Sequence, residues 1–399
     1  MSHSVSPSLR VLAWVACTFA FGVMAFGAFV RLSNAGLSCP DWPTCYGHVT
    51  WPQHAHAIAR ANAAFPDRPV ETGKAWREQT HRFLAGTLGL LVLALAVSAT
   101  WRTRKRFAAV LIGIALIALG IPLYMSQRYV PSAILASIGE VILLCCALFW
   151  LAQSWRRVAV LALAVVAFQA LLGMWTVTWL LKPIVVSGHL LGGMATFALL
   201  AWIALRLKWG QVHFSEIAAD DLNSTSKNEP DPISTLRGAV IAGVVLLACQ
   251  IALGGWTSSN YAALACGTSF PKCLGLWWPP VDFHRGFIVW RGIGVNFEGG
   301  ILDAAARSAI QIAHRFGAAV VFVYLAWLTH KVSRAGLRGY GIALGVLLIA
   351  QVLLGIGNVK LGLPLAVAVA HNGGAALLLF AMVALLARTT LARSAETAP

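Results

Sequence analysis

Ten separate stretches of this chain run for about twenty residues with almost no charge, and that recurrence limits what it can fold into. They lie at about 11–32, 79–100, 107–126, 131–152, 157–180, 184–206, 238–257, 309–330, 339–359 and 365–387. A helix of ~20 apolar residues matches the ~30 Å hydrocarbon thickness of a bilayer, whereas barrel strands would show ~10-residue alternation. The expectation is an all-α polytopic membrane protein with about ten transmembrane helices. Composition agrees: of 399 residues 59% are hydrophobic and 11% charged, too few polar groups to cover a soluble globule, which carries ~25% charged residues. The first stretch is too long for a signal-peptide core and no clear small-residue cleavage site follows it, so it reads as retained.

The formal charge of +16 does not point to nucleic acid, because the basic residues form no stripe. They gather in short runs between apolar stretches: Arg102, Arg104, Lys105 and Arg106; Arg156 and Arg157; Arg206 and Lys208; Lys331, Arg334 and Arg338. With both termini cytoplasmic, every run falls on the cytoplasmic side, as the positive-inside rule requires. Residues 33–78 and 258–308 are then the long outer loops. Residues 209–236, acidic and rich in Ser, Asn and Pro, read as a cytoplasmic linker.

An internal repeat organises the rest. His81-Arg82-Phe83 recurs as His314-Arg315-Phe316, Gln169-Ala170-Leu171-Leu172-Gly173 as Gln351-Val352-Leu353-Leu354-Gly355, and the His189 glycine run (Gly192, Gly193) as that of His371 (Gly373, Gly374). Each half also holds an outer-loop cysteine pair, Cys39/Cys45 and Cys266/Cys273. The two histidines of the first half lie about 50 residues further apart than those of the second, nearly the length of the apolar hairpin at about 107–156. The predicted architecture is two pseudo-symmetric four-helix bundles, 1–208 and 237–399, with an extra two-helix hairpin inserted in the first. Such parallel repeats are related by an axis along the membrane normal.

His81, His189, His314 and His371 thus occupy equivalent positions at the outer ends of their helices. Ionisable groups in spanning segments are costly and usually functional. Two histidines per bundle, on different helices at one depth, suit ligation of one haem iron from both faces. Arg82 and Arg315 are placed to pair with haem propionates. The halves differ where Glu78, one helical turn before His81, is matched by Gln311 before His314, which fits either proton chemistry at the first site alone or a carboxylate that only marks the start of its helix, favoured by the dipole. The cysteine pairs lie where disulfides persist, and both a structural staple and a redox role fit. His48, His54 and His56 follow Cys45 at a spacing that fits no zinc pattern. Cys17, Cys145, Cys146 and Cys249 are expected to pack within helices. The outer-loop tryptophans read as interface anchors, and Glu140 in the hairpin has no assigned role.

Together these residues resemble the haem A synthase family over about 10–387. The motifs that carry the likeness are Glu78-x-x-His81-Arg82, the glycine-rich His189 helix, their second-half counterparts, and the paired outer cysteines. The resemblance implies an oxidoreductase of the bacterial inner membrane that converts the C8 methyl of haem O to the formyl of haem A for haem-copper oxidases. It implies that His81 and His189 face the substrate haem with Glu78 assisting, and that His314 and His371 hold a resident haem b. Cys39/Cys45 would be the functional disulfide and Cys266/Cys273 its structural counterpart. Expected partners are haem O, haem O synthase, oxidase assembly factors, an electron donor and membrane lipid, with self-association open. The family usually has eight spanning helices, so the hairpin at 107–156 is a departure. Two other readings need the same histidines: a di-haem cytochrome b carrying electrons from quinol, and a non-catalytic haem-handling assembly protein.

Overall fold

A computed structural model describes residues 6–150, 155–220 and 232–396. Thirteen helices carry the described chain: α1 (Pro7–Leu32), α2 (Ala55–Ala64), α3 (Thr72–Thr100), α4 (Arg104–Met125), α5 (Tyr129–Leu148), α6 (Trp155–Thr178), α7 (Pro183–Asp220), α8 (Pro232–Thr235), α9 (Arg237–Ser259), α10 (Phe283–Gly286), α11 (Ala304–Arg334), α12 (Arg338–Lys360) and α13 (Leu365–Glu396). Ten of them are long and apolar enough to cross a membrane, and they coincide with the ten predicted stretches. Among the described residues there is no strand, only two isolated bridges, one in each cysteine loop. The chain is an all-α polytopic membrane protein.

Two boundaries differ from expectation. The linker expected at 209–236 begins as a continuation of α7, which stays helical to Asp220, while 221–231 lie outside the described residues. Helices α3 and α11 also start well before their apolar cores. Their first turns carry Lys74, Arg77 and Glu78 in one and Arg307 and Gln311 in the other, so hydropathy hides them. Caps define these starts instead: the Asp303 carboxylate accepts from the Ala306 amide at 2.8 Å, and Glu71 receives the Lys74 and Ala75 amides on its carbonyl. His81 and His314 therefore lie between the second and third turns of their helices, not at the ends.

Packing divides the chain into two compact units of discontinuous sequence. One joins residues 1–23, 82–171 and 195–228; the other joins 24–81, 172–194 and 229–399. In the first, α4 and α5 form the inserted hairpin. Gly113 and Gly139 face each other so closely that a side chain on either would strike the opposing backbone, and the Ser132 hydroxyl donates to the Gly120 carbonyl at 2.8 Å. Small residues and a hydroxyl are how helices approach closely without a hydrophobic drive from water.

In the second unit, α9, α11, α12 and α13 close a four-helix bundle: α9 packs on α11 and α13, and α12 packs on the same two. Helices α11 and α13 therefore stand diagonally across it. Ala309, Ile310, Leu325 and Leu328 of α11, Leu344 of α12 and Met382 of α13 are among its buried residues.

Candidate functional site

Each of the four histidines leans on a glycine of another helix. A Cβ built on Gly27 of α1 would lie 2.8 Å from His81 Cε1; on Gly173 of α6, 3.2 Å from His189 Cε1; on Gly254 of α9, 3.3 Å from His314 Cε1; on Gly355 of α12, 3.1 Å from His371 Cε1. A Cβ at Gly27 would push the imidazole away, and at the other three positions the ring would have to yield a few tenths of an ångström, so close approach rather than backbone conformation favours glycine. Each ring is half-buried, backed by helix on one side. Because α11 and α13 are diagonal, His314 and His371 project from opposite walls of their bundle.

In the second bundle the rings also have amide neighbours. The Gln250 side-chain amide donates to the His314 carbonyl at 3.0 Å and lies 3.1 Å from His314 Nδ1, and Gln351 donates to the His371 carbonyl at 3.0 Å. The Oε1 atoms of both glutamines are buried with no hydrogen bond, as is Nδ1 of His371.

Glu78 is 5% exposed and is tied to the first cysteine loop: its Oε2 accepts from the Cys39 amide at 2.9 Å and from the Ser38 hydroxyl at 3.0 Å. Ser38 Oγ also lies 2.6 Å from the Ala35 carbonyl, so its single proton has two acceptors. Ser38 lines a cavity of about 170 Å3 shared with Asp67, Arg68, Glu71 and Lys74. Gln311, the second-half counterpart, is equally buried, and its Oε1 has no such donors.

The cysteine pairs are disulfide-bonded, Cys39 to Cys45 and Cys266 to Cys273, and the other four cysteines are free. Both loops end alike. Tyr46-Gly47 and Leu274-Gly275 take positive φ at both positions, and the flanking residues, Cys45 with His48 and Cys273 with Leu276, exchange both backbone hydrogen bonds. That is the tight turn which needs glycine at its second central position. Burial pushes the Tyr46 hydroxyl up to about 12, and it donates to the Arg68 carbonyl at 3.1 Å.

The predicted arginines separate. Arg315 donates to the carbonyls of Ser269, Pro271 and Lys272 at 3.1 to 3.3 Å, so it braces the second cysteine loop. Arg82 is half-buried in α3. The sequence reading passed over Lys182, which has no exposed surface: its ammonium sits 3.2 Å above the Trp290 ring and 5.4 Å from Trp179. Burial lowers its proton affinity, and the ring faces offset part of that cost. It also passed over Gly27, Gly254 and Gln250. The signal for two of them was present, since Gln250-Ile251-Ala252-Leu253-Gly254 is a third copy of the Gln-x-x-x-Gly pattern.

What these residues can hold follows from their chemistry. Paired imidazoles are axial ligands of haem iron, and glycine backing gives ring and macrocycle room. No cluster of three or more His, Cys, Asp or Glu that would hold a bare metal ion exists among the described residues.

Comparison with known proteins finds relatives along nearly the whole chain. The profile of the COX15-CtaA family, described as cytochrome oxidase assembly protein, matches residues 10–122 and 123–383. A heme A synthase of Shewanella oneidensis is 38% identical over 370 residues, covering 92% of this chain and 93% of its own length. Heme A synthases of Rhizorhabdus wittichii and Sphingopyxis alaskensis are 26% and 24% identical, covering 91% and 97% of this chain and 88% and 94% of their own. Ten helices fit to span a membrane, four glycine-backed histidines in repeat register and two disulfides accompany that full-length likeness, and the chain belongs to the COX15-CtaA family of cytochrome oxidase assembly proteins.

Proposed function

We propose that this protein is a haem A synthase, oxidising the C8 methyl of haem O to the formyl of haem A. In this reading the substrate haem is held by His81 and His189 in the first half, residues 1–208, and a resident haem b by His314 and His371 in the second, 237–399. The observation that carries it is the asymmetry of two otherwise matching sites: a buried carboxylate stands before His81 and an amide before His314.

Converting methyl to formyl removes four electrons from one carbon and adds one oxygen atom; with dioxygen as the oxidant and an electron donor, RCH3 + 2 O2 + 4 e− + 4 H+ gives RCHO + 3 H2O, so protons pass to and from the site. When bound, the resident haem supplies one-electron transfer. The residues supply the rest. Glu78 accepts or returns protons beside His81, and its two donors fix the carboxylate's direction. Ser38 serves both protonation states: its hydroxyl donates to the ionised carboxylate, or turns to the Ala35 carbonyl and accepts from the neutral one. Its place on the cavity gives those protons a polar exit. The positive-inside pattern supports cytoplasmic termini, an outward-facing site and, for a bacterial chain, the inner membrane. Haem O synthase, oxidase assembly factors and an electron donor are the partners this chemistry calls for.

The test is chromatography of acid-extracted haems from membranes of a host that makes haem O but no haem A. Expression should produce haem A or its hydroxylated precursor; Glu78→Gln should retain bound haem and make neither. Untouched haem O with well-expressed protein would overturn the synthase reading, whereas full turnover by the Glu78→Gln variant would overturn the role given to Glu78.

A further inference from the structure

The second cysteine loop and the end of α12 border an open-sided cavity of about 330 Å3. Lys272 and Lys360 stand on its wall with Ser269, Phe270 and Trp277, and no lining residue is acidic. Both lysines are exposed, and among the described residues neither makes an ion pair. The Gly275 amide, also on the wall, makes no hydrogen bond among the described residues. Two cations and a free N–H around one space form a setting for an anion.

The first cysteine loop shows what such a turn accepts. Counted from the second cysteine of each loop, Ser269, Lys272, Gly275 and Trp277 correspond to Asp41, Thr44, Gly47 and Val49. Counted from the backing glycines Gly355 and Gly173, Lys360 corresponds to Thr178. In the first loop the Asp41 carboxylate accepts from the Tyr46 and Gly47 amides and from the Thr44 hydroxyl. The chain thus carries its own anion on that turn. In the second loop the carboxylate is gone, Ser269 stands in its place, and lysines have replaced both threonines.

The helices below say where the anion comes from. Ile342, Val346, Ile349 and Leu353 form an exposed apolar row on one face of α12, and Lys360 continues that face two turns beyond Leu353. Helix α11 packs beside α12 and carries its own exposed row, Phe316, Val320, Val323 and Trp327. Arg315, next to Phe316, holds the loop by the carbonyls of Ser269, Pro271 and Lys272. An amphiphile with its charge in the cavity lays its chains along such rows, whereas a free anion gains nothing from them. We propose that the cavity binds the phosphate of an anionic phospholipid from the leaflet on the cysteine-loop side. A zwitterionic head group would bring its own cation against the two lysines.

The test is titration of the purified full-length chain in neutral detergent with phosphatidylglycerol or phosphatidylcholine, bound lipid being counted by native mass spectrometry. The unmodified protein should bind one phosphatidylglycerol about 30-fold more tightly than phosphatidylcholine, about fivefold for each lysine near an anionic head group. Lys272→Thr with Lys360→Thr, which writes the first half's residues into the second, should bring the ratio close to one. Lys272→Arg with Lys360→Arg should preserve it, and unfolding temperatures of both pairs should match the parent's. A preference that survives the threonine pair overturns the proposal. Equal binding of the two lipids by the unmodified protein also overturns it, and would leave the lysines to an acidic protein partner. Inorganic phosphate or glycerol 3-phosphate should not displace the lipid; displacement at concentrations comparable to the lipid's would make this a site for a soluble anion instead.

Discussion

Alanine at the four backing glycines should damage haem binding in an order set by distance. Ordinary contact begins near 3.4 Å, so the His81 ring must withdraw about 0.6 Å from a Cβ at position 27, where the gap is 2.8 Å. The His371, His189 and His314 rings face gaps of 3.1, 3.2 and 3.3 Å and must yield only about 0.3, 0.2 and 0.1 Å. Thermal displacement of a well-ordered atom is roughly 0.5 Å per axis, so only the first shift exceeds it and the His371 shift is the largest of the remainder. Without haem an imidazole can swing aside cheaply. Once iron holds it, the displacement must be met by strain of the kind that overpacked cores show, ~1–3 kcal/mol, or about 5–150-fold in affinity. The assay is titration of haem-free protein in detergent, followed by optical absorption, beside thermal unfolding of the same samples. Gly27→Ala should weaken the first site within that range, Gly355→Ala should weaken the second by less, and Gly254→Ala should be near neutral. Unfolding temperatures without haem should stay close to the parent's. An inverted order, with Gly254→Ala the most damaging, would refute the idea that these glycines exist to seat the rings.

Other consequences are more local. Ser38→Ala removes one of the two donors to Glu78, worth ~1.5–3 kcal/mol for a bond to a charged group; turnover should drop at least about tenfold while bound haem is retained. Replacing Cys39 and Cys45 by Ser should lower turnover because the Cys39 amide is the other donor to Glu78. The same change at Cys266 and Cys273 should leave chemistry intact and cost ~2 kcal/mol of loop stability, the entropy of closing so short a ring, read by limited proteolysis. Arg315→Lys keeps the charge but cannot reach three carbonyls, so it should expose the 266–277 loop to protease; protection unchanged with haem lost would assign Arg315 to a propionate instead. Raising the pH should loosen the first loop from about pH 10. Tyr46 titrates near 12 when folded but near 10 when unfolded, so its contribution is whole below 10 and lost as pH climbs through 12.

How much of this was legible depended on what each feature needs. A spanning helix announces itself in twenty consecutive residues, so all ten were readable, as was the repeat. Helix starts were not, because the leading turns of α3 and α11 carry charged and polar residues that hydropathy assigns to loops. The histidines stood out as polar groups beside apolar helix, and Glu78 through its place three residues before His81 where the other half has Gln311. Glycine 27 does not stand out: many glycines occur in such helices, and only the packing of α1 beside α3 shows which one meets a ring. Arg315 sits beside a histidine and reads as a propionate partner, yet its guanidinium reaches carbonyls more than forty residues away in sequence. Contacts of that kind leave no local pattern.

A repeated fold also makes its differences informative, because shared ancestry of the halves makes likeness the expectation. The glycine backing survives at all four histidines, so it answers a need common to both sites. Among the histidine sites, departures gather around a single residue: glutamate replaces glutamine three positions before His81, and leucine replaces the glycine three positions after it. Valine replaces the glutamine four positions before the glycine that backs it. Drift alone would scatter such changes over four equivalent sites. Their meeting at His81 makes the surroundings of that residue the place where the two halves differ most.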